Sequence, residues 1–164
     1  MYEFTYSKAA SVDDAEKQFG SAEEGKYMSG GMTLLPTLKQ RLARPSNVID
    51  LADVPDLAGI EVSGDKVNVK AMTRHASVAA SAEVQNAIPA LAKLASGIGD
   101  PMVRNRGTIG GSIANNDPAA DYPASVVGLG ATIHTNKRDI AGDDFFLDLF
   151  ETALEEGEII TSVT

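Results

Sequence analysis

Two glycine-rich segments contain the residue types best suited to bind a ligand. The first glycine segment, residues 29–34, reads Ser-Gly-Gly-Met-Thr-Leu. The second glycine segment, residues 104–112, reads Arg-Asn-Arg-Gly-Thr-Ile-Gly-Gly-Ser. Because glycine has no Cβ, the backbone N–H groups of such segments can come close to a bound anion. Two segments of this kind in a small protein predict one anionic ligand that is held from two sides.

The residues around both segments favour a phosphate group as that anion. The first glycine segment leads into the apolar run 34–42, whose leucines recur at helical spacing. A helix that begins there would place free N–H groups and the positive end of its dipole beside the glycines. Thr108 and Ser112 add hydroxyl donors. The sequence has neither a G-x-G-x-x-G after its first strand nor a P-loop, which excludes the standard dinucleotide and nucleoside-triphosphate motifs.

Several polar residues near the second glycine segment have two interpretations each. Asp121 could accept hydrogen bonds from an adenine amino group or a ribose hydroxyl, or it could cap the helix predicted after it. Arg104 and Arg106 could face phosphate or an acidic partner, or they could be solvated. Asn115 and Asn116 lie in a turn, where their side chains could approach a ligand ring or cap backbone groups as turn residues commonly do. The residues alone leave these alternatives open.

Composition excludes several classes of function. The chain has 164 residues, a formal net charge of −9 and no cysteine. The acidic charge argues against a nucleic-acid partner, and the missing cysteines exclude thiolate metal sites and iron–sulfur ligation. His75 and His134 lie far apart with no carboxylate at ligand spacing, so we predict no metal site and no catalytic side chain. Neither a membrane-spanning run nor a signal peptide is visible, which predicts a cytoplasmic protein.

The elements that must position the two segments divide the chain at residue 54. Alternation at 2–6, a helix start at Ser11 and short strands at 27–28 and 47–50 predict a compact β-α-β-α-β unit over residues 1–54. Residues 55–164 form the second unit. Its predicted elements are a hairpin at 60–69 around Gly64, helices between Ser77 and Ala95 separated at Pro89, a helix at 125–129, a strand at 131–135 and a last strand at 157–163. A strand at the chain end predicts a further C-terminal portion.

Both glycine segments closely resemble those of the FAD-binding medium subunit of molybdenum hydroxylases, the aerobic carbon monoxide dehydrogenase and xanthine dehydrogenase family. The resemblance covers nearly the whole chain. It includes residues 98–106 before Gly107 and residues 115–123, Asn-Asn-Asp-Pro-Ala-Ala-Asp-Tyr-Pro, after the second glycine segment. It implies an α+β, FAD-binding fold of the PCMH type. In that fold, residues 1–54 would be a small N-terminal β-α-β subdomain and residues 55–164 a larger mixed α/β subdomain, without the C-terminal domain of longer family members.

The resemblance also implies FAD as the cofactor and assigns its contacts. The first glycine segment and residues 108–112 would hold the pyrophosphate. Asp121 would face the adenosine half, and Ile98 and Ile160 would be apolar contacts. Met32 departs from the polar residue that is common at its position. The residues implied are Ser29, Gly30, Gly31, Met32, Thr33, Leu34, Ile98, Thr108, Ile109, Gly110, Gly111, Ser112, Asp121 and Ile160.

The implied function is electron transfer in a heteromeric molybdenum hydroxylase. FAD on this chain would pass electrons from iron–sulfur clusters on a small partner subunit to an external acceptor, while a large subunit would carry the molybdenum cofactor. The absence of cysteine agrees with that division. Two alternatives are a stand-alone FAD-dependent oxidoreductase of the same fold and a nucleotide-binding module without redox chemistry.

Overall fold

Three parallel strands near the N-terminus form a small sheet in the computed structural model, which describes all 164 residues. β1 (Thr5–Lys8), β2 (Gly25–Met28) and β3 (Asn47–Asp50) lie in the order β1-β3-β2, so that β3 pairs with both others. The crossovers contain α1 (Val12–Gly20) and α2 (Leu34–Lys39). This is the β-α-β-α-β order that the sequence predicts.

α1 begins where the sequence predicts, directly after Ser11, whereas β1 begins later than the sequence predicts. The hydroxyl of Ser11 accepts a hydrogen bond from the Asp14 amide at 3.0 Å and caps α1. The alternation from Tyr2 predicts a strand with one buried face, but β1 begins only at Thr5 and half of Tyr6 is exposed. β1 is an edge strand, and the Tyr6 hydroxyl reaches outward to donate to an Asp50 carboxylate oxygen at 2.7 Å.

A five-stranded antiparallel sheet organises the rest of the chain. Its order is β4-β5-β10-β6-β7, so the last strand of the sequence lies at its centre. The predicted hairpin turns at Gly64, which has a positive φ of 61°. A short separate hairpin completes the strands. The strands are β4 (Ile60–Ser63), β5 (Lys66–Lys70), β6 (Thr132–Thr135), β7 (Asp139–Ala141), β8 (Phe146–Asp148), β9 (Glu151–Thr152) and β10 (Ile160–Val163).

Seven short helices accompany this sheet. The predicted break at Pro89 is confirmed, and a second break occurs at Ser81, whose hydroxyl caps the following helix by accepting from the Val84 amide at 3.2 Å. None of the helices in the chain is long and apolar enough to cross a membrane. They are α3 (His75–Ala80), α4 (Ala82–Ala87), α5 (Pro89–Gly97), α6 (Pro101–Arg106), α7 (Ile109–Asn115), α8 (Tyr122–Gly128) and α9 (Gly142–Phe145).

Each sheet has its own hydrophobic core. The larger core contains 18 buried residues of the five-stranded sheet and its helices, among them Tyr122, Phe145 and Ile113. The smaller core contains seven buried residues around the parallel sheet. Leu57 and Ile159 belong to this smaller core although they lie beyond residue 54. The first unit is therefore packed in part by side chains from later in the chain, and the boundary at residue 54 stays a prediction.

Candidate functional site

The two glycine segments lie against each other. The hydroxyl oxygens of Ser29 and Thr108 are 2.5 Å apart and share a hydrogen bond. A Cβ atom on Gly30 would overlap the carbonyl oxygen of Arg106 and would lie 2.9 Å from the Cα of Gly107. The approach of the two backbones therefore requires glycine at position 30. Ser29 and Thr108 are 79 residues apart in sequence, yet their segments form one continuous surface.

The first glycine segment presents a row of unpaired backbone donors. It connects β2 to α2, and Gly31 turns the chain with a φ of 73°, in the left-handed region that favours glycine. None of the six consecutive N–H groups of residues 29–34 donates a hydrogen bond to a backbone or side-chain acceptor in the chain. Backbone donors are almost always paired in folded proteins, by water or a ligand if not by the chain itself. Six such donors in succession suit an acceptor with several oxygen atoms.

The second glycine segment differs, because its amides are already used. Its last part forms the first turn of α7, where Thr108 is the N-cap residue. The Ile109 amide donates to the Thr73 carbonyl at 3.1 Å, and the Gly110 amide donates to the Ala71 carbonyl at 2.9 Å. The amides at positions 111 and 112 both donate to Thr108, at 3.1 and 3.0 Å. The expectation that both segments supply free amides is therefore corrected. Residues 109–112 form part of the surface of the site, but their amides are not available to a ligand.

Close packing explains the glycines of the second segment. A Cβ atom on Gly110 would lie 2.6 Å from the Cβ of Ala71, so Gly110 lets α7 approach the end of β5. A Cβ atom on Gly111 would lie 3.0 Å from the Thr108 hydroxyl and 3.3 Å from the Cβ of Ser29. The Ile109 side chain is 2% exposed and belongs to the larger core. A larger residue at Gly110 would consequently disturb the packing of α7 against the end of β5.

A cavity of 720 Å³ lies along the two segments and brings the predicted site residues together. Such a volume falls within the usual range for small-molecule sites. Ile109 is the exception, since its side chain is in the core. The predicted residues that line the cavity are Ser29, Gly30, Gly31, Met32, Thr33, Leu34, Ile98, Thr108, Gly110, Gly111, Ser112, Asp121 and Ile160.

The structure also separates the alternatives left open by the sequence. Asp121 occupies the N-cap position of α8 but its carboxylate makes no cap hydrogen bond, and it lines the cavity. Arg104 donates to the Ile98 carbonyl and so fixes the turn that carries Ile98. The Asn116 side chain donates to the carbonyls of Asp148 and Glu151, at 2.8 and 2.9 Å. Arg104 and Asn116 are thus structural, whereas Asp121 is available to a ligand.

Glu158 lines the cavity and was not indicated by any sequence pattern. Burial raises the pKa of its carboxyl group, but hydrogen bonds from Arg138, the Glu155 amide and Thr135 outweigh burial and lower the pKa to about 2. The Arg138 guanidinium donates to both carboxylate oxygens, at 3.1 and 3.0 Å. This ion pair anchors the turn before Ile159 and Ile160, which form the adjoining cavity wall.

His75, at the start of α3, is a second cavity residue without a sequence signal. Its side chain is buried, and its ring centroid lies 5.2 Å from that of Tyr122. Burial lowers the pKa of His75 to about 4, although the nearby Asp121 carboxylate acts in the opposite direction. His75 is therefore neutral at pH 7. No group of three or more His, Cys, Asp or Glu side chains in the chain is placed to hold a metal ion.

A Thr108→Val variant is expected to lose about 1 to 2 kcal/mol of stability, because it removes both the N-cap of α7 and the hydrogen bond to Ser29. Thr108→Ser keeps the hydroxyl group and is the matched control. Urea unfolding of both variants measures the difference. Equal stability of the two variants would contradict the structural role of this hydroxyl.

Comparison with known proteins agrees with this geometry. Residues 2–164 match the family described as the FAD binding domain in molybdopterin dehydrogenase. The nicotine 6-hydroxylase medium subunit of Paenarthrobacter nicotinovorans is 38% identical over 96% of this chain and 57% of its own length. The carbon monoxide dehydrogenase medium chain of Hydrogenophaga pseudoflava is 38% identical over 98% of this chain and 58% of its own length.

Solved structures give the same result for the fold. A carbon monoxide dehydrogenase structure from Hydrogenophaga pseudoflava matches 99% of this chain with a TM-score of 0.95, at 38% identity. The structure of quinoline 2-oxidoreductase from Pseudomonas putida 86 also matches 99% of this chain with a TM-score of 0.95, at 32% identity. In both, the match covers 58% of the longer chain, so this chain spans little more than half the length of these relatives. The α+β fold, the adjoining glycine segments and these matches lead to one conclusion: the chain belongs to the FAD binding domain family of molybdopterin dehydrogenases.

Proposed function

We propose that the chain binds FAD and serves as the electron-transfer subunit of a heteromeric molybdenum hydroxylase. The observation that carries this proposal is the row of six unpaired amides at residues 29–34, which lines a cavity large enough for an elongated ligand. A diphosphate has several acceptor oxygens and suits such a row better than a single carboxylate would. Membership of the FAD binding domain family supports the same ligand.

The residues present fit the parts of FAD. The first glycine segment would hold the diphosphate, with Gly30 and Gly31 leaving room for its oxygens. Asp121 would accept hydrogen bonds from the adenosine half, since its carboxylate has no partner in the chain. Ile98 and Ile160, which also line the cavity, would supply apolar contacts. Thr108 and Ser112 would add hydroxyl groups, while Gly111 would keep α7 close to the first segment and Gly110 would keep it close to the end of β5.

The division of chemistry between cofactor and protein follows from these residues. FAD, when bound, would supply the redox chemistry. The chain binds and orients the ligand and excludes water from part of its surface. Iron–sulfur clusters would have to lie on a partner, because this chain has no cysteine to hold them.

The rest of the proposal concerns the surroundings of the chain. Relatives named as medium subunits or medium chains support a complex with an iron–sulfur small subunit and a large subunit that carries the molybdenum cofactor. Electrons would leave FAD for an external acceptor. We include in the proposal a cytoplasmic location and the division into subdomains 1–54 and 55–164.

Titration of the purified chain with FAD tests the proposal directly. Binding is expected to quench the flavin fluorescence and to shift its visible absorption bands, with saturation at one FAD per chain. Co-expression with candidate small and large subunits then tests the complex by co-purification. A correctly folded chain that leaves the FAD spectrum unchanged would contradict the proposed cofactor.

A further inference from the structure

We propose that Lys26 is the cationic binding residue for the diphosphate of the ligand and sets the preference of the site for diphosphate-bearing flavins. This inference rests on the proposed function and deepens it. Lys26 lies in β2, three residues before the first glycine segment, and it lines the same cavity as the unpaired amides.

Strand geometry directs Lys26 toward the glycine segment. Successive side chains of a strand point to opposite faces, so Lys26 shares its face of β2 with Met28. The Met28 sulfur lies 3.3 Å from the position that a Cβ atom on Gly31 would occupy, which places this face beside the turn. Tyr27 points to the other face, where its ring packs on Phe19 with centroids 4.8 Å apart, and Tyr27 lines the cavity as well. At about 3.3 Å per residue, the start of the segment lies about 10 Å along the chain from the Cα of Lys26, and the long side chain of Lys26 can cover most of that distance.

The charges around the cavity make Lys26 distinctive. The acidic side chains that line the cavity are Asp117, Asp121 and Glu158, and only Glu158 is paired with a basic side chain. The other basic side chain in the lining is His75, which is neutral at pH 7 because burial lowers its pKa. Lys26 makes no ion pair in the chain. It is thus the one charged cation that faces the cavity and is free to pair with a ligand.

A diphosphate would enter unfavourable electrostatic surroundings without this lysine. The chain carries a net charge of −9, and a diphosphate adds further negative charge. Amides contribute dipoles, whereas Lys26 contributes a full positive charge to an N–H···O contact, which is the stronger type of hydrogen bond. Removing the charge should therefore weaken binding of flavins that carry a diphosphate and leave riboflavin, which has no phosphate, unaffected.

The experiment compares Lys26→Met with two controls in fluorescence titrations with FAD and with riboflavin. Lys26→Met is expected to raise the Kd for FAD about tenfold, as a lost charge-assisted contact predicts, and to leave the Kd for riboflavin unchanged. Lys26→Arg should restore most of the affinity for FAD. Lys17→Met makes the same change of net charge on an exposed face of α1, away from the cavity, and should bind FAD like the parent. Raising the salt concentration should reduce the difference in Kd for FAD between the parent and Lys26→Met, because salt screens the charge of the lysine.

The possible failures are distinguishable. A parent chain that binds no FAD contradicts the proposed function and this inference together. If the parent binds FAD and Lys26→Met binds it equally well, the inference alone is contradicted. A Lys26→Met variant whose affinities for FAD and for riboflavin fall to the same extent also contradicts the inference alone. Thermal unfolding of each variant confirms that it is folded, and recovery in Lys26→Arg excludes a general loss of structure.

Discussion

A Gly30→Ala variant is expected to lose FAD binding and to unfold more readily than the parent chain. Its new methyl group would overlap the carbonyl oxygen of Arg106 and approach the Cα of Gly107 to 2.9 Å. Both are backbone atoms, so no side chain can swing away to make room. The first glycine segment must then separate from the second, which disrupts the arrangement of its six free amides.

The expected effects of Gly30→Ala are large in both stability and binding. Overpacking of this kind costs about 1 to 3 kcal/mol of unfolding free energy. Loss of about 3 kcal/mol of diphosphate binding would reduce the affinity for FAD by about 100-fold. Urea unfolding and FAD titration measure the two effects separately.

Gly97→Ala is the matched control for Gly30→Ala. Gly97 ends α5, and a Cβ atom there would meet nothing within 4 Å. Alanine also has a higher helix propensity than glycine, so this variant should be as stable as the parent or slightly more stable. Gly30→Ala with the stability and FAD affinity of Gly97→Ala would show that the two glycine segments do not touch in solution.

The sequence predicted the features that depend on short-range rules. Ser11 and Asp14 marked the start of α1, Pro89 separated two helices, and Gly64 marked the turn of a hairpin. Each of these signals is a local requirement of the backbone, such as a cap, a missing N–H or a positive φ. The two glycine segments were identified for the same reason, because close backbone approach requires glycine.

The sequence could not show which amides of the second glycine segment are free. The partners of Ile109 and Gly110 are the carbonyls of Thr73 and Ala71, more than thirty residues away, and no local pattern encodes that pairing. A similar limit applies to the Arg138–Glu158 pair, because the two residues are 20 positions apart and lie in the connections before β7 and before β10. The location of β10 at the centre of the sheet is also a long-range property.

The early tyrosines show how an alternating pattern can mislead. Tyr2 and Tyr6 have the period of a half-buried strand with these residues inside, yet they are 41% and 50% exposed. Tyr6 donates to Asp50, and the guanidinium groups of Arg41 and Arg44 lie over the Tyr2 ring at 5.5 and 5.3 Å. Aromatic rings can therefore be held at the surface by polar and cationic neighbours, which periodicity does not detect.

Acidification from pH 7 to pH 4.5 is expected to lower the stability of the chain by about 2 kcal/mol through His75. Burial lowers the pKa of His75 from 6.5 to about 4 in the folded chain. In the unfolded chain the residue titrates near its ordinary value, so between these pH values the unfolded state binds more protons. Stability is therefore complete above about pH 6.5 and falls as the pH decreases toward 4.

His75 can be distinguished from the other acidic and basic groups by the pH range. The pKa of Glu158 is lowered to about 2, so its contribution to stability is present above its ordinary pKa near 4.5 and is lost only below that value. Urea unfolding at several pH values between 7 and 4.5 thus reports mainly on His75. His75→Gln should flatten the dependence on pH, whereas His134→Gln, a change at a half-buried position of β6, should preserve it. An equally steep loss of stability in His75→Gln would mean that this buried ring is already protonated, or already solvated, in the folded chain.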